Sequence, residues 1–173
     1  SRTYQIINLF ADMSVIDNVI VAMHADLKAN FFDSLLHTKR HRTEEKEAYA
    51  RAQELLEFMG LSQFANAPAG SLPYGQQRLV EITRALASNP SLLLLDEPAA
   101  GMNSKEKSDL DVIIKRIMQR WDLSVLIVEH DMDLVMNISD YIYVLNYGKM
   151  LASGTPEEIQ NNPAVIEAYL GGE

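Results

Sequence analysis

Apolar and polar positions change rhythm near the middle of the chain. From Ser14 to about Ser88 the apolar residues recur at helical spacing, and beyond Pro90 they gather into short runs. In the first half, Ser14 stands three residues before Asp17, a possible capping box that opens a helix over Val15 to Met23. Thr43 reads as another N-cap, with Glu44 and Glu45 in the positive first turn of its helix. Leu55, Leu56 and Met59 share one face of that helix, and Gly60 is its expected stop. The stretch HADLKANFFDSLLHTKRHRT, residues 24–43, is less regular, and no boundary is set inside it. Pro68, Gly70 and Pro73 then mark a loop leading to a helix from about Gln76 to Ala87, closed by Asn89-Pro90.

In the second half, Leu92 to Leu95, Val125 to Val128 and Tyr141 to Leu145 are strand-length and mostly unalternated, as expected of parallel strands covered on both faces. Between the first two, Leu110, Ile113, Ile114, Ile117 and Trp121 fall on one helical stripe, which predicts a β-α-β unit. The segment VLNYGKML predicts a hairpin with Asn146 to Lys149 at the turn and Gly148 free to take positive φ. A last helix is expected from Thr155, with Pro156 at its first position and Glu158 completing a capping box.

Composition narrows the setting. The 173 residues are 47% hydrophobic, enough for one globular domain with a sizeable core. A formal charge of −9 argues against a surface built to grip nucleic acid. With no cysteine there is no disulfide framework, thiolate nucleophile or thiolate metal site, which fits a reducing compartment such as the cytoplasm. No apolar run reaches the roughly 18 residues of a membrane span, and the opening SRTYQ does not read as a signal peptide, so membrane association is expected through a partner.

The candidate chemistry lies where the leucine run meets two carboxylates. In an open parallel sheet ligands gather beyond the carboxyl ends of the strands, and Asp96 and Glu97 follow directly on Leu95. Glu129-His130 ends the second strand, so its polar tip is expected at the same edge. One carboxylate suits a divalent cation beside a phosphate and the other suits a base for the attacking water. Acidic residues also simply end strands, and that alternative stands for an isolated Asp-Glu pair. Upstream, Gly75 is expected just before a helix, with the amides of Gly75, Gln76 and Gln77 facing out of a positive helix end that suits a phosphate. A glycine there is more often only a cap.

In order, LPYGQQ resembles the signature motif of the ATP-binding cassette (ABC) ATPases, LLLLDEP their Walker B strand, AAGMN their D-loop and LIVEHD their switch-histidine segment. RTYQIINLFADMSVIDNV resembles the family's Q-loop, with Gln5 as its glutamine. More narrowly, LPYGQQ, DEPAAGMN and VEHDMDLVM resemble the ATPase subunits of importers of branched-chain amino acids and related amides. The resemblance implies a P-loop NTPase-like (RecA-like) α/β fold whose parallel-sheet core is joined to an ABC-type helical subdomain. It divides the chain into a Q-loop region over 1–13, a helical subdomain with the signature over 14–88, and the C-terminal part of the core over 89–173. It also implies ATP and Mg2+ as cofactors.

By the same resemblance, Asp96 holds the magnesium shell, Glu97 polarises the attacking water, His130 contacts the γ-phosphate, and Gln5 senses metal and water. Leu72, Pro73, Tyr74, Gly75 and Gln76 of the signature, with Gly101 and Asn103 of the D-loop, are the remaining nucleotide-binding candidates. His24, His37 and His41 lack a strand-tip context and are read as surface or core residues. Two motifs depart locally: in the signature Pro73 stands where the family has a serine and Tyr74 where it has a glycine, and in the D-loop Asn103 replaces the aspartate. The third departure is large, since no G-x-x-x-x-G-K-[ST] occurs and the only Gly-Lys pair, Gly148-Lys149, is followed by Met150. The chain is therefore expected to be a truncated cassette, inactive by itself, with apolar faces left uncovered.

The implied function is the ATPase engine of an importer, cytoplasmic and peripheral on the inner face of the membrane. Its expected partners are permease subunits, a second ATPase subunit of the same or a different kind and, indirectly, a periplasmic or extracellular substrate-binding protein. A DNA-acting relative would need long coiled-coil insertions, and neither sustained heptads nor a basic patch is present. The other alternative is a non-catalytic regulatory or docking module. Ile6, Ile7, Leu9, Phe10, Met13 and Ile16 form either a buried core turn or an apolar groove; the resemblance implies that Leu9, Phe10 and Met13 receive a permease helix.

Overall fold

The computed structural model describes residues 8–23 and 39–170. Gln5, His24 and His37, and the side chain of His41, lie outside that description. Helix α1 spans Val15–Met23, and the Asp17 amide donates to Ser14 Oγ at 3.1 Å. Only that half of the expected capping box forms, because the Ser14 hydroxyl itself donates to the Asp17 carboxylate at 2.5 Å. Helix α2 spans Lys39–Phe58, which puts Thr43 inside it rather than at its cap. Lys and Arg are good helix formers, so the basic stretch before Thr43 extends the helix.

The end of α2 follows the expectation. Gly60 sits at φ +71°, its amide donates to Glu57 O at 3.0 Å, and the Leu61 amide reaches Leu56 O at 2.7 Å. These are the paired bonds of a Schellman stop, with Leu56 and Leu61 both buried beside it. Helix α3, Tyr74–Ala87, begins two residues earlier than its sequence suggests. Pro73 takes the N-cap position, and its fixed φ of −54° suits the entry to a helix that no side chain caps. At the other end Asn89 adopts φ +48°, ending the helix before Pro90.

Strands β1 (Leu92–Asp96) and β2 (Ser124–Val128) pair in parallel with Asp96 opposite Val128. They flank helix α4, Ser104–Arg120, whose Leu110, Ile114 and Ile117 are buried as the stripe predicted. The strand exposure differs from expectation, because it alternates. Leu93 and Leu95 are buried, whereas Leu126 and Val128 on the other face are more than half exposed. A two-stranded sheet with helices on one side leaves the second face open.

The third expected parallel strand is also corrected. After helix α5, Met132–Ile138, strand β3 (Ile142–Asn146) pairs antiparallel with β4 (Lys149–Gly154), and among the described residues it does not join β1 and β2. The turn sets the antiparallel pairing: Tyr147 and Gly148 sit at φ +47° and +75°, the two-residue geometry that folds a strand back on itself. The expected final helix is two helices, α6 (Pro156–Gln160) and α7 (Pro163–Leu170). Thr155 and Glu158 form the full capping box, but Pro163 lacks the N–H that would continue the first helix.

Two apolar clusters hold these elements together. The larger joins α1, α2, α3, β1, α4 and α5, and the smaller centres on Ile142, Val144, Ile159 and Val165. Helix α5 belongs to both, giving Leu134 and Ile138 to the first and Val135 and Met136 to the second.

Candidate functional site

The two strand tips converge as their sequence predicts. Asp96 is the last residue of β1, and the Glu97 amide donates to Val128 O at 2.8 Å, extending the ladder by one bond. His130 Nδ1 lies 3.8 Å from Glu97 Oε1, with the imidazole 73% exposed. Glu97 occupies φ +44°, a left-handed conformation that costs a non-glycine residue on the order of 1 kcal/mol. The turn therefore needs support from outside itself.

That support comes from Arg78, a residue the motif reading left without a role. It lies on α3 with its side chain fully buried. Its Nη2 donates to Glu97 O at 2.7 Å and Asp96 O at 3.2 Å, and its Nε donates to Pro98 O at 3.3 Å. Nη1 pairs with the Glu81 carboxylate at 2.6 Å. One planar guanidinium thus fixes three consecutive carbonyls of the carboxylate turn, which a lysine cannot do. The sequence signal for it was the apolar face of α3, where Arg78 stands in line with Ile82 and Ala85, four and seven residues on, as an arginine with an acid three residues on.

Glu129 is the second missed residue. Alternation along β2 puts it on the inward face with Val125 and Ile127, and its side chain is 1% exposed. Its Oε1 accepts the Ala99 amide at 2.9 Å, and its Oε2 accepts those of His130 at 3.0 Å and Asp131 at 3.4 Å. Asp131 in turn caps α5 through the Leu134 amide and pairs with Lys107 Nζ at 2.5 Å. The hydrogen bond from Lys107, then that from the Leu134 amide, holds the Asp131 carboxyl below its ordinary range. The same bond raises the Lys107 ammonium above its own.

The remaining candidates assemble at the start of α3 and α4. Leu72 is buried in the core, and Pro73 O accepts the amides of both Gln76 and Gln77 at 3.0 Å. Gly75 is thus inside the first turn of α3 rather than ahead of it, and Gln76 and Gln77 already have backbone partners. The expected anion site shrinks to the amides of Tyr74 and Gly75. Gln76 Oε1 is buried and accepts nothing. A Cβ on Gly75 would lie 2.6 Å from Glu106 Oε1, and one on Gly101, at φ +76°, would lie 3.0 Å from the Tyr74 ring. Asn103 caps α4 in a reciprocal box with Glu106, a role its sequence context did not reveal.

At the amino end, Leu9 packs on the core while Phe10 stays half-exposed under the Arg84 guanidinium, 5.1 Å from the ring centre. Burial lowers the Arg84 pKa, opposed by the Glu81 charge. Buried Asn18 clamps the turn, accepting the Phe10 amide at 3.0 Å and donating to the carbonyls of Phe10 and Ser14 at 3.0 Å and Met13 at 3.4 Å.

For a magnesium nucleotide the donor set fits in part. Asp96 and Glu97 supply hard oxygens, the α3 end supplies amides, and the 173 residues contain no phosphate-binding loop. Among the described residues no three His, Asp or Glu side chains form a metal cluster of their own. None of their helices is long and apolar enough to cross a membrane.

The chain is similar to known proteins in sequence and in fold. Residues 3–100 match the family described as ABC transporter, and residues 149–173 match the one described as branched-chain amino acid ATP-binding cassette transporter. The high-affinity branched-chain amino acid transport ATP-binding protein LivG of Salmonella typhimurium is 51% identical over 170 residues, 98% of this chain and 67% of its own length. Its counterpart BraF of Pseudomonas aeruginosa is 49% identical with the same coverage. The ADP conformation of an ATP-binding cassette of an ABC transporter superposes with a TM-score of 0.78 at 32% identity, covering 99% of this chain and 68% of that one. The P-loop NTPase cassette fold follows from that likeness, and the chain belongs to the ABC transporter family, among its ATP-binding subunits.

Proposed function

We propose that the chain forms part of the ATPase subunit of an importer for branched-chain amino acids or related amides, coupling ATP hydrolysis to transport. The observation that carries this reading is the strand-tip constellation: Glu97 in a conformation held open by Arg78, with His130 3.8 Å away. A carboxylate constrained at that edge suits a base for water, and a largely exposed imidazole beside it suits a hydrogen-bond donor to a phosphoryl oxygen. Bound magnesium would supply charge neutralisation on the phosphates. Asp96 would orient its water shell, and Gln5 would complete the metal and water contacts. These 173 residues hold no phosphate-binding loop, so the reading concerns the subunit in which such a loop is joined to them.

Pro73, Tyr74, Gly75 and Gln76, with Gly101 and Asn103, form the face that would meet nucleotide across a pair of ATPase subunits, and Leu72, buried in the core, would anchor the signature behind it. Pro73 offers no hydroxyl, so the amides of Tyr74 and Gly75 are the donors left there for a phosphoryl oxygen. The subunit is assigned to the cytoplasmic face of the membrane, bound to a permease that receives its cargo from a substrate-binding protein. Leu9, Phe10 and Met13 are assigned to the permease groove because Phe10 stays half-exposed on a turn that Asn18 makes rigid.

Leucine uptake by cells that depend on this subunit tests the assignment, with co-purification of the permease followed in parallel. Phe10→Asp should abolish uptake and co-purification while ATP turnover and the melting temperature stay near wild type. Normal assembly and transport by the variant removes the groove assignment, and loss of fold shows that Phe10 serves the core instead.

A further inference from the structure

The ladder between β1 and β2 ends at the bond from the Glu97 amide to Val128 O, and past that point the two chains diverge. One side chain spans the gap. Glu129 leaves the end of β2, turns inward, and places one oxygen on the amide of Ala99, two residues beyond Glu97, and the other on the amides of His130 and Asp131. The same Oε2 stands 4.0 Å from His130 Nδ1, too far for a direct hydrogen bond, so its influence on the imidazole runs through the backbone. A second tie lies alongside, where Lys107 of α4 pairs with the Asp131 cap of α5. The other groups facing this loop are Glu97 Oε1 and Asp133, the latter lying close enough to raise the Lys107 pKa.

We propose that Glu129 is a positioning residue that locks the loop carrying His130 to the turn carrying Glu97, so that acid and imidazole keep their separation and move as one body. The inference rests on the catalytic reading of Glu97 and His130 given above. Bonds from both oxygens are needed, which singles out a carboxylate. A glutamine of the same shape keeps one acceptor and turns an NH2 toward an amide, so one of the two anchored segments must be released.

Two measurements test this. Amide hydrogen exchange on the full-length subunit should find Ala99 and His130 protected, and Glu129→Gln should speed at least one of them by about tenfold or more while the α3 core amides keep their rates. Free exchange at Ala99 in the unmodified subunit overturns the proposal without any variant. In the full-length subunit, Glu129→Gln should lower kcat about tenfold with KM for ATP changed less than about twofold. Against a His130→Ala background the same substitution should have little further effect on residual turnover, since Glu129 acts through His130. Undiminished loss in that background, or an unchanged kcat, overturns the positioning role. Full turnover by His130→Ala alone overturns the catalytic reading instead, and leaves the exchange rates to decide whether the clamp exists.

Discussion

Glu97 and Gly101 show how single backbone positions set the site. Gly101 combines φ +76° with a Tyr74 ring that would meet any Cβ at 3.0 Å, so shape and backbone both demand glycine. Gly101→Ala should destabilise the protein by about 1 kcal/mol or more, read from urea melts, and an unchanged midpoint would show that the Tyr74 ring moves aside freely. Asp131 offers a pH test. Its folded pKa lies below the ordinary value of about 3.9, so its contribution is complete above that value and is lost as pH falls through the folded pKa. The Lys107 shift is upward, so that partner's contribution is complete below its ordinary pKa and fades only as pH rises through the raised one. Asp131→Asn keeps a capping oxygen and removes the ion pair. It should cost from a few tenths to about 1 kcal/mol near neutral pH, and the gap to wild type should close as pH falls through the lowered folded pKa of Asp131. A gap that persists there contradicts the ion-pair account.

Among the elements, α3 matters most to the site because it ties the signature face to the carboxylate turn. Arg78→Met keeps apolar volume but strips the guanidinium donors from three carbonyls and removes the buried ion pair to Glu81. A loss of about 3 kcal/mol or more is expected in denaturant melts, and a loss under about 0.5 kcal/mol would show that the turn holds itself. The elements differ in how legible they were. α1, the stop at Gly60, the β1-α4-β2 unit and the Gly148 turn were readable because each rests on local chemistry or strong periodicity. Thr43 and the start of α3 were misplaced, since a capping residue type says little when neighbouring residues also favour helix. The third parallel strand failed because an apolar run carries no information about its partner. Asp96, Glu97 and His130 were legible as strand tips, whereas Arg78 and Glu129 act through backbone groups that no motif spells out.

At the scale of the whole molecule, the helical half and the strand half share one apolar core, and the candidate catalytic groups lie where helix α3 meets the sheet edge. The opposite face of the sheet, with Leu126 and Val128, is open to solvent in the chain as described. Such a surface normally packs against further structure or another chain. The central claim is that this assembly positions Glu97 as the base of an ATPase. Steady-state ATP turnover by the full-length subunit carrying Glu97→Gln, beside nucleotide binding on the same preparation, tests it most directly. The account predicts a fall in turnover of about 100-fold or more with nucleotide affinity kept within about threefold. Full hydrolysis by the glutamine variant would contradict it.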